Sequence, residues 1–413
     1  MLATAWNLAT PPFEAPDEDA HVRYVLFLTQ EGRLPDPRVE GERAGNQSFH
    51  PPLYYGVLAG ALRASGISYP AAVAAQRIEP WTWDTLPRNY FHPSPAPAGY
   101  LHFLRTLSTV FGIVTVLCTY LAATMIGTTA AVRASATATT AALPQFTYLS
   151  AAVNPTSLAT ALSAIGLVLL LRLMRGPERP RTTAAVFGAI AGLAVLSEYH
   201  AVYLLALALL GYLFVAKRDL REFIRDAVPA GAAFVAVAGW FFALNAIRYG
   251  DASGLSMQRL LAPELLTPRS ILSPYFIWFF PSILFESFLG VFGWLNAYLP
   301  ESLYVGYGLL WVVALWGIGQ AVLVRRSWSA ERRIFVLAPL LILVLVVYAN
   351  LTFSQPQGRY FFPALVAISL LLTLGLSELR GRVGRVLLLV APAYVIAANL
   401  YSLVLVASSF VRA

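Results

Sequence analysis

Near the start of the sequence, acidic side chains and a histidine lie close enough together for acid–base chemistry. The run Pro-Asp-Glu-Asp-Ala-His begins at Pro16 and contains Asp17, Glu18 and His21. A helix that begins at this proline places Asp17, His21 and Tyr24 along one face. A carboxylate beside an imidazole can exchange protons with a substrate, so this face predicts a reactive edge. A helix N-terminus also favours acidic residues without any chemistry, because they complement the helix dipole.

The elements that must position these residues are membrane helices. Of the 413 residues, 58% are hydrophobic and 12% are charged, whereas about 25% of a soluble chain is charged. The mean hydropathy is +0.65. This composition excludes a disordered chain, a collagen and a cytosolic enzyme. The single cysteine, Cys118, excludes an intrachain disulfide and a cysteine-based metal site.

Apolar runs near the length that crosses a bilayer as a helix predict about ten spans. Outer-membrane barrels need alternating segments instead, and the sequence has none. We therefore predict an all-α polytopic integral membrane protein with spans at about 101–126, 130–152, 156–173, 183–199, 200–216, 227–247, 302–324, 334–352, 361–379 and 386–407.

The basic residues predict the orientation of these spans. The net charge is +8, and more than half of the basic residues fall in short loops on one side, which the positive-inside rule makes cytoplasmic. We take them as topology signals and expect no nucleic acid partner. These loops lie around Arg133, 172–181, 217–225, 325–333 and 380–385.

The outer side receives the longer connections. We predict an outer loop region with interfacial helices at 1–100 and a transmembrane helical domain at 101–413, which includes a large outer loop at 248–301. The apolar start, Met1–Thr10, reads as the end of one more span. We therefore expect an eleventh, N-terminal helix in the natural protein.

Several short motifs together resemble the GT-C superfamily, whose multi-spanning glycosyltransferases use polyprenyl-phosphate-linked sugars. They are more similar still to a bacterial membrane-protein family defined by a domain of unknown function and related to the protein O-mannosyltransferases and the lipid A aminoarabinose transferases. The motifs are Pro-Asp-Glu-x-x-His at 16–21, Gly-Arg-Leu-Pro at 32–35, His-Pro-Pro-Leu-Tyr-Tyr at 50–55, Leu-Pro-Gln-Phe at 143–146, Tyr-Gly-Asp at 249–251, Glu-Ser-Phe-Leu-Gly-Val-Phe-Gly-Trp at 286–294 and Gln-Gly-Arg-Tyr-Phe-Phe-Pro at 357–363.

The resemblance implies a catalytic base at Asp17, with Glu18 as the second candidate and His21 beside them. Such an enzyme also needs positive charge near the departing phosphate. Arg359 is the candidate for that contact, because a guanidinium group binds phosphate through a fork of donors. Arg359 and Tyr360 would otherwise form an interfacial anchor.

Other residues have secondary roles in this hypothesis. His50 and Arg23 are the next candidates for the phosphate. Glu286 lies in an apolar stretch, where a carboxylate needs a partner or a cavity. Trp294 and Tyr54 could stack on a sugar ring or form part of an aromatic belt.

The sequence departs from the resemblance at two positions. Relatives commonly show Asn-x-Asp where this chain has Asn154-Pro155-Thr156, and many carry Thr-Lys where it has Ser197-Glu198. The second departure reverses a charge. A divalent metal at Asp17 and Glu18 stays open, since hard cations take carboxylate ligands. No nucleotide cofactor is expected, because the Walker and dinucleotide-binding glycine patterns are absent from the sequence.

The sequence thus predicts a GT-C-like membrane glycosyltransferase in the bacterial cytoplasmic membrane. It would transfer a sugar from a polyprenyl-phosphate donor to an envelope glycan, lipid or protein on the outer face. The active site would lie between the first loop and the segments 248–301 and 353–360. The alternatives are a transporter or flippase of a lipid-linked saccharide and a noncatalytic partner in envelope polysaccharide assembly.

Overall fold

The computed structural model describes residues 1–73, 75–78, 89–92, 99–215 and 219–410, with the side chains of residues 214 and 215 left aside. Lys217 and Arg218, two of the predicted topology signals, lie outside the described residues. Within the described residues, four helices precede the first span: α1 Leu2–Ala9, α2 Glu18–Glu31, α3 Pro37–Ala44 and α4 Leu53–Ser65.

The spans and their connections follow. The first half contains α5 Gly99–Met125, α6 Ala130–Ala142, α7 Pro144–Ser150, α8 Thr156–Met174, α9 Pro180–Val195, α10 Tyr203–Leu210 and α11 Leu220–Tyr249. The second half contains α12 Leu255–Leu261, α13 Phe280–Leu289, α14 Glu301–Gly319, α15 Ala330–Asn350, α16 Leu365–Ser377 and α17 Arg382–Ser409. Short 3₁₀ turns occupy Tyr199–Val202, Pro263–Leu265 and Gly358–Ala364, and π turns occupy Gly211–Val215, Tyr275–Phe279 and Gln320–Val324.

The prediction of an all-α polytopic fold is confirmed. Seven of the described helical segments are long and apolar enough to cross a membrane. The predicted span at 130–152 is wrong in one respect, because it divides into α6 and α7 at Pro144. A proline cannot continue the hydrogen bonding of the preceding helix, so a new helix begins there. The predicted spans at 183–199 and 200–216 correspond to shorter helices.

The centre of the bundle is α16. Nearly all of its residues are buried, and α5, α6, α14, α15 and α17 pack around it. By contrast, only 11% of the apolar window of α11 is buried inside the protein. A helix that is apolar all round and mostly uncovered is typical of a lipid-facing position.

The N-terminal segment packs against the bundle through α1. The Trp6 indole N–H donates to Oδ1 of Asn399 in α17 at 3.0 Å, and the Trp6 ring stacks on Phe292. Phe292 belongs to a two-stranded antiparallel hairpin of β1 (Val291–Phe292) and β2 (Ala297–Tyr298). The segment before α2 is therefore held against α17 and this hairpin.

Candidate active site

An ion pair between Asp17 and Arg359 forms the centre of the candidate site. The two residues are 342 positions apart in the sequence, and Nη2 of Arg359 lies 2.7 Å from Oδ2 of Asp17. The Arg359 side chain is 9% exposed, whereas that of Asp17 is 25% exposed. The pair is thus enclosed by protein but open on the side of the carboxylate.

Asp17 precedes α2 and does not belong to its first turn. Its φ of 63° is in the left-handed region, which aspartate tolerates better than most residues. Its carboxylate makes no capping hydrogen bond to the helix and instead accepts from Arg359. The expected helical face shared by Asp17, His21 and Tyr24 is therefore wrong for Asp17, because α2 begins at Glu18.

Arg359 is positioned by a close approach between two backbones. The N–H of Gly358 donates to Oγ of Ser287 in α13 at 2.8 Å. A Cβ atom at position 358 would overlap the backbone of Leu284 and Phe288. Only glycine fits here, so Gly358 fixes where the next residue enters the site.

The guanidinium group of Arg359 is only partly used. Its Nη2 pairs with Asp17, but Nη1 is buried and, within the described residues, has no hydrogen-bond partner. A buried donor without a partner costs about 1–3 kcal/mol. Such an atom at a functional site indicates a place for a ligand acceptor.

Two histidines lie beside the carboxylate. Tyr55 OH and Nδ1 of His21 are 2.9 Å apart, and the rings of His21 and His50 are 6.4 Å apart between centroids. Burial lowers the pKa of His21 to about 3 and that of His50 to about 4, although Asp17 opposes the shift. Both imidazoles are therefore neutral at physiological pH.

The charge state of Asp17 follows from the same surroundings. Burial alone would raise its pKa, but the Arg359 guanidinium group holds the pKa below its ordinary value. Asp17 is therefore a carboxylate at neutral pH, able to accept a hydrogen bond or a proton.

Glu198 and His200 complete the cluster, and sequence reasoning missed them as site residues. They flank the start of the 3₁₀ turn after α9, with Nδ1 of His200 3.3 Å from Oε1 of Glu198. The His200 ring stacks on Tyr360 at 4.7 Å. The available signal was their composition, since both are ionisable residues in a turn between two apolar runs.

Glu18, the second candidate base, lies in a different environment. It is fully buried against Arg105 of α5, whose Nε and Nη2 donate to its two oxygens at 2.8 and 2.5 Å. The backbone N–H groups of Phe13 and Val153 also donate to Glu18. This carboxylate has no surface for a substrate, so we assign it a structural role.

The remaining candidates lie outside the cluster. The Tyr54 ring is fully buried, with its hydroxyl 2.7 Å from Oγ of Ser108, so it cannot stack on a sugar. Trp294 stacks on Tyr90, and its indole N–H donates to the carbonyl oxygen of Phe13. The structure thus uses the two predicted stacking residues for internal packing.

Arg23 and Glu286 also make contacts of their own. Arg23 lies 3.8 Å from Asp19, one helical turn earlier. Glu286, half-buried in α13, accepts a hydrogen bond from Ser282. Among the described residues, no group of three or more His, Cys, Asp or Glu side chains is arranged to hold a metal ion.

A largely apolar cleft of about 520 Å³ lies between α2, α4 and α11. Gly56 and Gly60 of α4 form one side, and Trp240 of the lipid-facing α11 forms another. Pro52 and Leu196 in its wall are each two residues from a member of the cluster, His50 and Glu198 respectively. The members of the cluster themselves do not line the cleft.

Comparison with known proteins gives the same fold. The family described as "Predicted membrane protein (DUF2142)" matches residues 96–368. ArnT from Cupriavidus metallidurans bound to undecaprenyl phosphate superposes with a TM-score of 0.56 at 15% identity, over 92% of this chain and 60% of ArnT. The apo state of the same ArnT gives 0.54 at 14% identity, over 92% of this chain and 58% of ArnT.

A second protein shares the fold. The archaeal oligosaccharyltransferase AglB from Archaeoglobus fulgidus, in complex with an inhibitory peptide and a dolichol-phosphate, gives a TM-score of 0.53 at 14% identity, over all of this chain and 55% of AglB. The chain spans about 60% of the length of these structures or less. No curated protein is significantly similar to the sequence. The GT-C fold predicted from the sequence motifs is confirmed.

Proposed function

The chain belongs to the DUF2142 family of membrane proteins, and from this premise we propose that it is a glycosyltransferase that uses a polyprenyl-phosphate sugar donor. The observation that carries the proposal is the Asp17–Arg359 pair, in which a carboxylate and a partly free guanidinium group share one site. ArnT and AglB, which share the fold, are described with undecaprenyl phosphate and a dolichol-phosphate.

The reaction exchanges one bond at the anomeric carbon and moves one proton. The acceptor hydroxyl oxygen attacks the anomeric carbon of the sugar, while the bond from that carbon to the phosphate oxygen breaks. Polyprenyl phosphate leaves with the bonding electron pair, and the acceptor proton passes to Asp17. Positive charge beside the departing phosphate stabilises the transition state, and Nη1 of Arg359 supplies a free donor for it.

Arg359 also couples the two halves of this chemistry. Its guanidinium group keeps the pKa of Asp17 low. As negative charge develops on the phosphate, the guanidinium group interacts more strongly with the phosphate and less strongly with Asp17. Asp17 then loses part of its stabilisation as an anion, and its proton affinity rises when the acceptor proton must be taken.

In this proposal, the cleft between α2, α4 and α11 holds the polyprenyl chain. Its apolar walls reach from the lipid-facing Trp240 to Pro52 and Leu196. The glycines of α4 keep it wide, because nothing lies within 4 Å of where their side chains would be. A donor could thus remain partly in the bilayer while its phosphate meets Arg359.

We place the site on the outer face of the bacterial cytoplasmic membrane, because the short loops at the other end of the spans are rich in arginine. Reporter fusions test this assignment. Fusions after Arg181 or Arg221 should report cytoplasm, and fusions near Gly254 or Gln357 should report the outer side. The same side for both groups would contradict the assignment.

The function itself is tested with purified protein in liposomes that contain a radiolabelled polyprenyl-phosphate sugar and an extract of envelope glycans, lipids and proteins. Covalent transfer of label to an acceptor supports the proposal. Movement of the intact donor across the bilayer without transfer would indicate a transporter or flippase instead. Neither transfer nor movement would favour a noncatalytic partner in envelope polysaccharide assembly.

A further inference from the structure

The carboxylate of Glu198 is not fully used by the protein around it. Its side chain is 13% exposed, and its Oε1 lies 3.3 Å from Nδ1 of His200. Its Oε2 is buried and, in the described part of the chain, accepts no hydrogen bond. A buried acceptor of this kind is costly unless a ligand supplies donors.

A second incompletely used group lies in the same cluster. Nη1 of Arg359 is also buried without a hydrogen bond, and no ion pair joins Arg359 to Glu198 among the described residues. The stacked rings of His200 and Tyr360 connect the two positions, because His200 neighbours Glu198 and Tyr360 follows Arg359 in the chain. The site therefore contains a hydrogen-bond donor on a positively charged group and a hydrogen-bond acceptor on a carboxylate, and neither atom is hydrogen-bonded within the described residues.

A glycosyl phosphate matches this pair of groups. Its phosphate carries acceptor oxygens, and its sugar carries hydroxyl groups that can donate. We propose that Glu198 accepts hydrogen bonds from the sugar of the donor and thereby forms a sugar subsite beside the phosphate contact. This inference rests on the proposed function and adds the class of sugar to it.

The charge of Glu198 limits which sugars fit. Neutral sugars donate hydroxyl hydrogens to a carboxylate, and an amino sugar adds a favourable cation. A uronic acid would place a second carboxylate against Glu198, where like charges in a partly buried site repel strongly. The subsite should therefore accept neutral and amino sugars and reject acidic ones.

Binding measurements with three soluble probes test the inference without needing turnover. The probes are farnesyl phosphate, its neutral hexosyl ester and its uronosyl ester. Glu198→Gln should lower the affinity for the hexosyl ester by roughly 10-fold or more, which is the loss expected for a hydrogen bond to a charged group. The same substitution should change the affinity for farnesyl phosphate by less than about threefold. It should also reduce the discrimination against the uronosyl ester. Retained farnesyl phosphate binding shows in the same experiment that the variant is folded.

Two further variants complete the design. Glu198→Asp keeps the charge but shortens the side chain by one methylene group. It should therefore lower the affinity for the hexosyl ester while the protein still rejects the uronosyl ester. Glu286→Gln, which removes a half-buried acid outside the cluster, should change none of the three affinities.

The outcomes separate the two levels of the proposal. If the wild-type protein binds farnesyl phosphate but Glu198→Gln leaves the preference among the three probes unchanged, the sugar subsite is refuted and the phosphate site stands. Equal loss of all three probes in both Glu198 variants would refute the subsite as well. If the wild-type protein binds none of the probes, both the subsite and the proposed function fall.

Discussion

Two neighbouring acids each pair with an arginine, and the two pairs differ in how completely their polar atoms are used. Glu18 and Arg105 have no exposed side-chain surface, and every N–H of the Arg105 guanidinium group donates to an oxygen of Glu18 or of the backbone. The Asp17 side chain is 25% exposed. Nη1 of Arg359 makes no hydrogen bond to the described residues.

We interpret this difference as one between a structural pair and the pair that we propose to be reactive. The Glu18–Arg105 pair is complete without a ligand, and it joins α2, α5 and the segment that carries Asn7, Thr10 and Pro11. The Asp17–Arg359 pair is incomplete without a ligand. Adjacent residues of similar chemistry can thus have opposite roles, and the count of satisfied atoms tells them apart.

The largest expected effect comes from breaking the complete pair. Glu18→Gln leaves the Arg105 charge buried without a counter-ion, which typically costs about 3–5 kcal/mol of folding free energy. We expect a marked fall in the melting temperature of the purified protein. Glu31→Gln, which removes an acid from an exposed ion pair with Arg43, should cost at most about 1 kcal/mol. Similar losses in both variants would contradict a special role for Glu18.

The next effect concerns the incomplete pair. Arg359→Lys keeps the positive charge but cannot donate to Asp17 and to a phosphate in the fork geometry of a guanidinium group. We expect the affinity for farnesyl phosphate to fall roughly 10- to 100-fold. Arg23→Lys, a matched change in α2, should have little effect. Unchanged affinity in Arg359→Lys would reduce Arg359 to a structural anchor.

The placement of the incomplete pair depends on Gly358. Gly358→Ala would force apart the Gly358–Ala364 turn and α13, at a cost of about 1–3 kcal/mol for overpacking. We expect weaker farnesyl phosphate binding together with a lower melting temperature. Gly231→Ala in α11, where the added methyl meets nothing within 4 Å, should change neither. Wild-type binding by Gly358→Ala would show that this backbone contact does not position Arg359.

The smallest effect is a pH dependence that sharpens the same comparison. The pKa of His21 is about 3 in the fold and about 6.5 in an unfolded chain. Because the unfolded state binds the proton first, His21 lowers stability as the pH falls below about 6.5, by up to about 1.4 kcal/mol per pH unit. Thermal melts from pH 7 to 5 should therefore fall more steeply for wild type than for His21→Gln. Parallel curves would contradict a neutral, buried His21.

The sequence predicted the helices better than the site. Apolar runs indicated each span, since a bilayer dictates their length. Pro144 was also visible, yet the apolar run continues across it, and hydropathy did not locate the break. The resemblance to the GT-C superfamily singled out Asp17, and the need for positive charge near the departing phosphate singled out Arg359. Neither predicted their contact, because nothing in the local sequence records a pairing over 342 positions.

The roles of the other ionisable residues depend on packing that the sequence does not show. Glu18 could not be separated from Asp17, because its partner Arg105 lies inside an apolar span and gives no separate signal. Glu198 and His200 stood out only as polar residues in a turn. Their importance follows from the stacking of His200 on Tyr360 and from the unused oxygen of Glu198.

The role of Asp17 is tested most directly by the sugar-transfer turnover of Asp17→Asn, measured together with its melting temperature and with the turnover of Asp19→Asn. Asparagine keeps the size of the side chain but removes the base, so turnover should fall by about 10²- to 10⁴-fold. The melting temperature should fall far less than in Glu18→Gln, and Asp19→Asn should keep its activity. Wild-type turnover by a well-folded Asp17→Asn protein would contradict the central claim that the incomplete ion pair is the reaction site.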